Sequence, residues 1–325
     1  MVREFKQSLL IALWFVFLTF PLMVVRVNTI ENVVVWRWEN ILWVAIGAFL
    51  LSYCWRYMLA RRQQKSKKAE EGLDTRGPLQ AALDNVQLRN RAMAVLLTLA
   101  VIFPLVFDTY QTNIMVTALI FVVLGLGLNI GVGLAGLLDL GYVAFFGVGA
   151  YTYAILNANF DLGFWIVLPI GGVIGCLFGI VLGFPILRLR GDYLAIVTLG
   201  FGMIFKVVME NWETLSQGPS GIANIDRPGL FGLEMTLAQS TVYIYYIMIA
   251  LVVLTIIVTN RLKNSRVGRA WIALREDEIA CVAMGIDMAR TKLSAYALGA
   301  FWAGMVGVLF AAKTTFINPA GFTFM

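Results

Sequence analysis

The sequence is dominated by apolar runs too long for a water-soluble fold to hide. A helix needs about 20 mostly apolar residues to cross a hydrocarbon core of about 30 Å, and about nine stretches approach that length. They are Leu9–Val25, Ile41–Tyr57, Ala92–Phe107, Ile114–Ile130, Tyr142–Leu156, Gly163–Leu187, Tyr193–Val208, Val242–Thr259 and Leu293–Ala312. The expectation is an all-α, polytopic transmembrane helix bundle of about nine spans. Composition agrees: 60% of the 325 residues are hydrophobic and 14% charged, against about 45–50% and about 25% in ordinary soluble domains. A soluble enzyme, a disordered chain and a disulfide-stapled secreted domain are excluded.

Arg3 and Lys6 precede the first run, as in a signal peptide, but Arg26-Val27-Asn28 offers no small-residue cleavage site. The run is read as an uncleaved span. Basic residues concentrate in Arg56–Arg91 and Arg261–Lys292, with Arg188 and Arg190 in a short turn. Such segments stay in the cytoplasm. Nine spans put all three there when the N-terminus is cytoplasmic, and leave Met209–Thr241 outside. The chain divides into a two-span extension (1–60), a basic cytoplasmic linker (61–91) and a body (92–325). Orientation explains the basic character, so no nucleic-acid partner is implied; the partner composition demands is the lipid bilayer.

Two glycine patterns differ in kind. Gly171, Gly175, Gly179 and Gly183 recur every fourth residue, which places them near one helix face where another backbone packs closely. Gly125–Gly149 is too rich in glycine for a continuous helix, at roughly 1 kcal/mol per Gly relative to Ala. A broken or re-entrant segment is expected over 131–141, with Asp139 in its middle. Irregular backbone at membrane depth survives inside protein or along a watery cavity; the alternative is a short cytoplasmic turn with Asp139 solvated. Asp192 is placed to cap the helix that follows it. Lys206 either pairs with Glu210, four residues on, or snorkels; snorkelling is expected.

The most informative polar stretch is 261–292. Arg269–Arg275 reads as helix, Arg275–Glu278 as a mixed-charge cluster, and Ile279–Met284 as a short apolar helix ending at Gly285. A short amphipathic helix between two spans suits docking into a partner's groove. There is no histidine, and no G-x-x-x-x-G-K-[ST] phosphate loop. Cys54, Cys176 and Cys281 are far apart and read as small apolar residues. Neither catalysis nor a resident metal is indicated, and ATP-driven transport would need another polypeptide to bind the nucleotide.

Three longer motifs carry a resemblance. They are Gly133-Leu134-Ala135-Gly136 through Leu140-Gly141 to Gly149-Ala150-Tyr151, then Leu182–Phe201 with Arg190-Gly191-Asp192-Tyr193-Leu194-Ala195 at its centre, then Gly268-Arg269-Ala270-Trp271 running on to Cys281. In this order they resemble the larger permease subunit of the bacterial high-affinity branched-chain amino acid ABC importer. The resemblance covers residues from about Ala92 onward, and the two-span extension resembles the longer form of this subunit.

That resemblance implies an inner-membrane permease paired with a second, homologous permease. Two cytoplasmic ATPase subunits would bind ATP and Mg, this chain binding neither, and a periplasmic binding protein would deliver leucine, isoleucine or valine. Arg275, Glu276, Asp277, Glu278, Ala280 and Gly285 fall in the ATPase-docking stretch. The generic Glu-Ala-Ala-x-x-x-Gly pattern is altered here, with Ile279 in place of Glu, Cys281 in place of the second Ala, and Glu278 one position early. Gly133, Gly136, Asp139, Gly141, Asp192, Tyr193 and Thr198 are the expected substrate pathway, with Asp139 and Asp192 as candidates for the substrate ammonium. The family continues past Phe322-Thr323-Phe324 into further spans, so the chain reads as C-terminally truncated. Two other readings compete: an ion-coupled secondary transporter, and a structural membrane subunit with no pathway of its own.

Overall fold

The computed structural model describes residues 86–323, apart from 187, 188, 190 and 230–235, and before them only 25–28, 33–36 and a few single positions. The chain forms two compact units, 1–94 and 95–325. In the first, β1 (Val25–Asn28) and β2 (Val33–Trp36) pair antiparallel, Val25 opposite Trp36 and Asn28 opposite Val33. The predicted spans Leu9–Val25 and Ile41–Tyr57 lie almost wholly outside the described residues. So does most of the predicted linker, although its last residues already belong to α1 (Val86–Val106).

The remaining helices follow the apolar runs. They are α2 (Thr109–Asn129), α3 (Tyr142–Phe160), α4 (Phe164–Ile186), α5 (Asp192–Asn211), the single turn α6 (Glu213–Ser216), α7 (Leu237–Lys263), α8 (Arg266–Glu276), α9 (Glu278–Ala283) and α10 (Met288–Thr314). Among the described residues, five segments are long and apolar enough to cross a membrane, carried by α2, α4, α5, α7 and α10. The predicted count of nine is therefore not confirmed, two of the nine lying almost wholly outside the described residues. The apolar part of α1, Met93–Val106, is short. Helix α3 buries 13 of its residues in protein, and its Tyr, Thr and Asn side chains lower its apolarity.

Helix α10 is the centre. Its apolar window is 83% buried, against 22–39% for the other four. It packs most heavily on α4 and then on α3. The glycine ribbon makes this possible. A Cβ at Gly175 would lie 2.6 Å from the Ala300 carbonyl oxygen, one at Gly179 2.7 Å from Ala300 Cβ, and one at Gly183 2.7 Å from Leu293 Cδ2. Gly171 faces Val308, and Gly304 on α10 faces the Gly171 backbone. Gly171, Gly175, Gly179 and Gly183 all lie against α10.

Local defects are compensated. Pro104 within α1 has no N–H for the carbonyl four residues earlier. That carbonyl, Ala100, accepts a 2.7 Å hydrogen bond from the Tyr245 hydroxyl of α7. Beyond the C-terminal end of α10, β3 (Ile222–Ala223) pairs with β4 (Phe316–Ile317). Asn157 of α3 bonds both the backbone and the carboxylate of Asp226, each at 3.0 Å. Much of the loop expected to be external is thus pinned to the bundle. Lys206 lies 3.6 Å from Glu210, so the pair forms and the snorkelling expectation is corrected: one helical turn brings the carboxylate within reach.

Candidate functional site

The predicted break is present, and it has a defined form. Helix α2 widens into a π-helical turn at Ile130–Leu134, where Ala135 N–H reaches Ile130 and Leu137 N–H reaches Gly131. Gly136 then takes φ +71°, a left-handed conformation that favours glycine. The chain stays irregular until α3 begins at Tyr142.

Asp139 is 7% exposed, so it is neither solvated nor facing an open lumen. Its carboxylate accepts the Gly141 N–H at 2.9 Å. Thr198 of α5 is fully buried; its hydroxyl accepts the Leu140 N–H and donates to the Ala195 carbonyl, both at 3.0 Å. A Cβ on Gly141 would collide with the Thr198 carbonyl. Asp139, Gly141 and Thr198 therefore come together as a turn locked onto α5. The space beside Asp139, shared with Gly131, Tyr142 and Tyr296, measures about 10 Å³. That is room for about one water and not for an amino acid. Tyr193 is 74% exposed and does not join this group. The Asp192 side chain lies outside the described residues, though Asp192 does begin α5. At the opposite end of the bundle, a cavity of about 250 Å³ is bordered by Thr109, Asn113, Arg227, Thr241 and Lys313, and by none of the predicted pathway residues.

The stretch 265–287 is built by successive caps. The Ser265 hydroxyl accepts the Gly268 N–H to start α8. Asp277 accepts the Ile279 and Ala280 N–H groups, at 2.8 and 3.1 Å, to start α9. Gly285, at φ +79°, closes α9, with its N–H on Val282 and the Ile286 N–H on Cys281. Asp287 accepts the Arg290 N–H to start α10. Ala280 and Gly285 are exposed, as a docking role requires, and so are Glu276 and Asp277.

Of the predicted docking residues, Glu278 turns inward, and Arg275, although exposed, reaches back onto the bundle. Glu278 lies 2.8 Å from the Lys292 ammonium of α10, whose side chain is 1% exposed. Arg275 donates to the Gly133 carbonyl at 2.9 Å while pairing with Glu276 at 2.7 Å. A Cβ at Gly136 would lie 2.5 Å from Arg275 Cγ. The physical reason is charge pairing: a buried ammonium without a counter-charge is costly, and the Glu278 carboxylate supplies one, while the Arg275 guanidinium finds an acceptor in the Gly133 carbonyl. What α9 presents outward is apolar: Ile279 is 71% exposed, Val282 55% and Met284 82%. Sequence reasoning missed two anchors, Lys292 and Trp271. Trp271 is fully buried, with its indole N–H on the Thr291 carbonyl (3.1 Å) and the Ser294 hydroxyl (3.0 Å). A lysine in the second turn of α10 and a tryptophan midway along α8 carry no pattern that marks them as buried.

The arrangement joins an exposed apolar helix to a membrane bundle with a broken glycine turn, and the comparisons agree with it. The family described as "Branched-chain amino acid transport system / permease component" matches residues 110–325. The chain is 41% identical over 309 residues to the high-affinity branched-chain amino acid transport system permease protein LivM of Escherichia coli, covering 89% of this chain and 71% of that one. The chain belongs to the branched-chain amino acid transport permease family. The permease is also 40% identical over 310 residues to the LivM protein of Salmonella typhimurium. To a probable LivM of Methanocaldococcus jannaschii it is 24% identical over 207 residues, or 59% of each chain. No solved structure matches the permease.

Proposed function

We propose that this permease is the membrane subunit of an ATP-driven importer for leucine, isoleucine and valine in the bacterial inner membrane, with its N-terminus in the cytoplasm. The observation that carries the reading is the outward face of α9. Ile279, Val282 and Met284 are exposed on a short, doubly capped helix between charged turns, where lipid does not account for them. Such a face suits a groove on a partner. An ATP-driven importer needs a nucleotide-binding partner, and in this reading that partner is an ATPase, two such subunits supplying ATP and Mg on the permease's behalf.

A second, homologous permease would complete the pathway. The space beside Asp139 holds about one water, so a lumen sized for an amino acid would form between two chains. Gly133, Gly136 and, at the start of α5, Asp192 and Tyr193 would then flank it, with the buried turn of Asp139, Gly141 and Thr198 holding them in place from behind. A periplasmic binding protein would dock on the opposite end, over the pinned segment around Asp226. ATP binding would draw the ATPases together, displace α9 and tilt the helices attached to it.

Tagged permease, expressed with its partner subunits and solubilised in detergent, tests this directly. The wild-type chain should recover a second permease and ATPase subunits. An Ile279→Asp/Met284→Asp variant should recover the permease and lose the ATPases. Failure of the wild type to recover any ATPase would contradict the importer reading.

A further inference from the structure

We propose that Glu278 and Lys292 form a joint that makes α9 and α10 move as one body, so that displacement of the docking helix passes straight into the most buried helix of the bundle. This rests on the reading of α9 as the ATPase-docking helix.

Lys292 sits just over one turn into α10, and its side chain is 1% exposed. Its ammonium lies 2.8 Å from a Glu278 oxygen, and Glu278 is the first residue of α9. Pulling α9 away from α10 would leave a buried cation without that carboxylate, which is strongly unfavourable. Sliding the two together keeps the pair intact. Cys281, one turn further along α9, is also buried. Trp271 adds a second tie, from α8 to Thr291 and Ser294 on the same part of α10.

Further along, α10 leaves no slack. Gly304 and Gly307 bring its backbone against Gly171 of α4 and Phe146 of α3. A push on α9 is therefore delivered to the α3–α4–α10 core. The Arg275–Gly133 hydrogen bond carries the same displacement to the π-helical turn. Glu278 and Lys292 are positioning residues: they touch neither nucleotide nor substrate.

The test uses the assembled transporter in proteoliposomes, reading uptake per ATP hydrolysed. Glu278→Gln and Lys292→Met should retain bound ATPases and hydrolysis but lower uptake per ATP by about tenfold. The swapped pair Glu278→Lys/Lys292→Glu should recover most of it. Unchanged uptake per ATP in both single variants would overturn the joint. Loss of the ATPases from Glu278→Gln, without rescue by the swap, would also overturn it and make Glu278 a docking contact. Absence of ATPases from the wild-type assembly would instead sink the docking reading.

If the single variants do not accumulate, spin labels at Ala283→Cys, at the exposed end of α9, and Thr314→Cys in a chain freed of its native cysteines give a second readout. The distance between them should hold within about 2 Å through the ATP cycle, the scale of a small helix shift. A larger change shows that α9 and α10 move separately, and the joint fails.

Discussion

The glycine face of α4 and the charged stretch Arg275–Gly285 were equally visible as patterns, yet they behave differently in three dimensions. On α4 the four-residue spacing translates directly into contact, because glycine acts by what it lacks. Any helix able to approach will fill the groove, and α10 does so at Ala300, Leu293 and Val308. On α8 and α9 the residue types point the wrong way. Glu278, expected to meet a partner, turns inward to Lys292 and Arg275 reaches back to Gly133, while the apolar side chains of α9 face out. Spacing encodes shape reliably, whereas a charge goes wherever its counter-charge lies, and that position is set by a distant part of the chain.

The comparison breaks first at the buried pair. Glu278→Ala leaves the Lys292 ammonium stranded and should destabilise the permease by about 3–5 kcal/mol, read as thermal unfolding in detergent. A loss under about 1 kcal/mol, the size of an exposed pair, would mean that the pair is solvated.

The glycine face should respond next. Gly175→Val forces a side chain against the Ala300 carbonyl and should cost about 1–3 kcal/mol. Gly163→Ala, where nothing lies within 4 Å, should stay within about 0.5 kcal/mol. Equal effects at the two sites would mean that close approach is not what the ribbon provides.

A smaller effect is expected where α7 repairs α1. Tyr245→Phe removes the donor from the Ala100 carbonyl that Pro104 leaves without its helical partner, at about 1 kcal/mol. Combining it with Pro104→Ala, which restores the backbone donor, should largely abolish that loss.

Much of the fold was legible because hydrophobic length is a crude, robust signal. The apolar runs from 92 onward all became helices, and the break near 131–141 followed from glycine density alone. The cap at Gly285 was legible from local chemistry, whereas Asp277, read as part of a charge cluster, caps α9. What was not legible were long-range partners. Thr198 reads as a pathway residue but spends its hydroxyl on Leu140 and Ala195. Asp139 reads as a ligand for an ammonium but holds a turn. Lys292 reads as one more orienting cation but is buried. For Thr198 and Lys292 the deciding atom lies on another helix or turn, and a single sequence does not say which helices meet; for Asp139 the partner is local, and what the sequence hides is the burial.

The central claim is that α9 docks through its apolar face while its charge faces inward. Labelling by a membrane-impermeant maleimide applied from the side bearing α8 and α9 tests it most directly. Val282→Cys and Met284→Cys should react readily in the free permease and become protected when ATPase subunits bind, while native Cys281, 4% exposed, should stay unreactive in both states. Equal labelling of both engineered positions with and without bound ATPases would contradict the account.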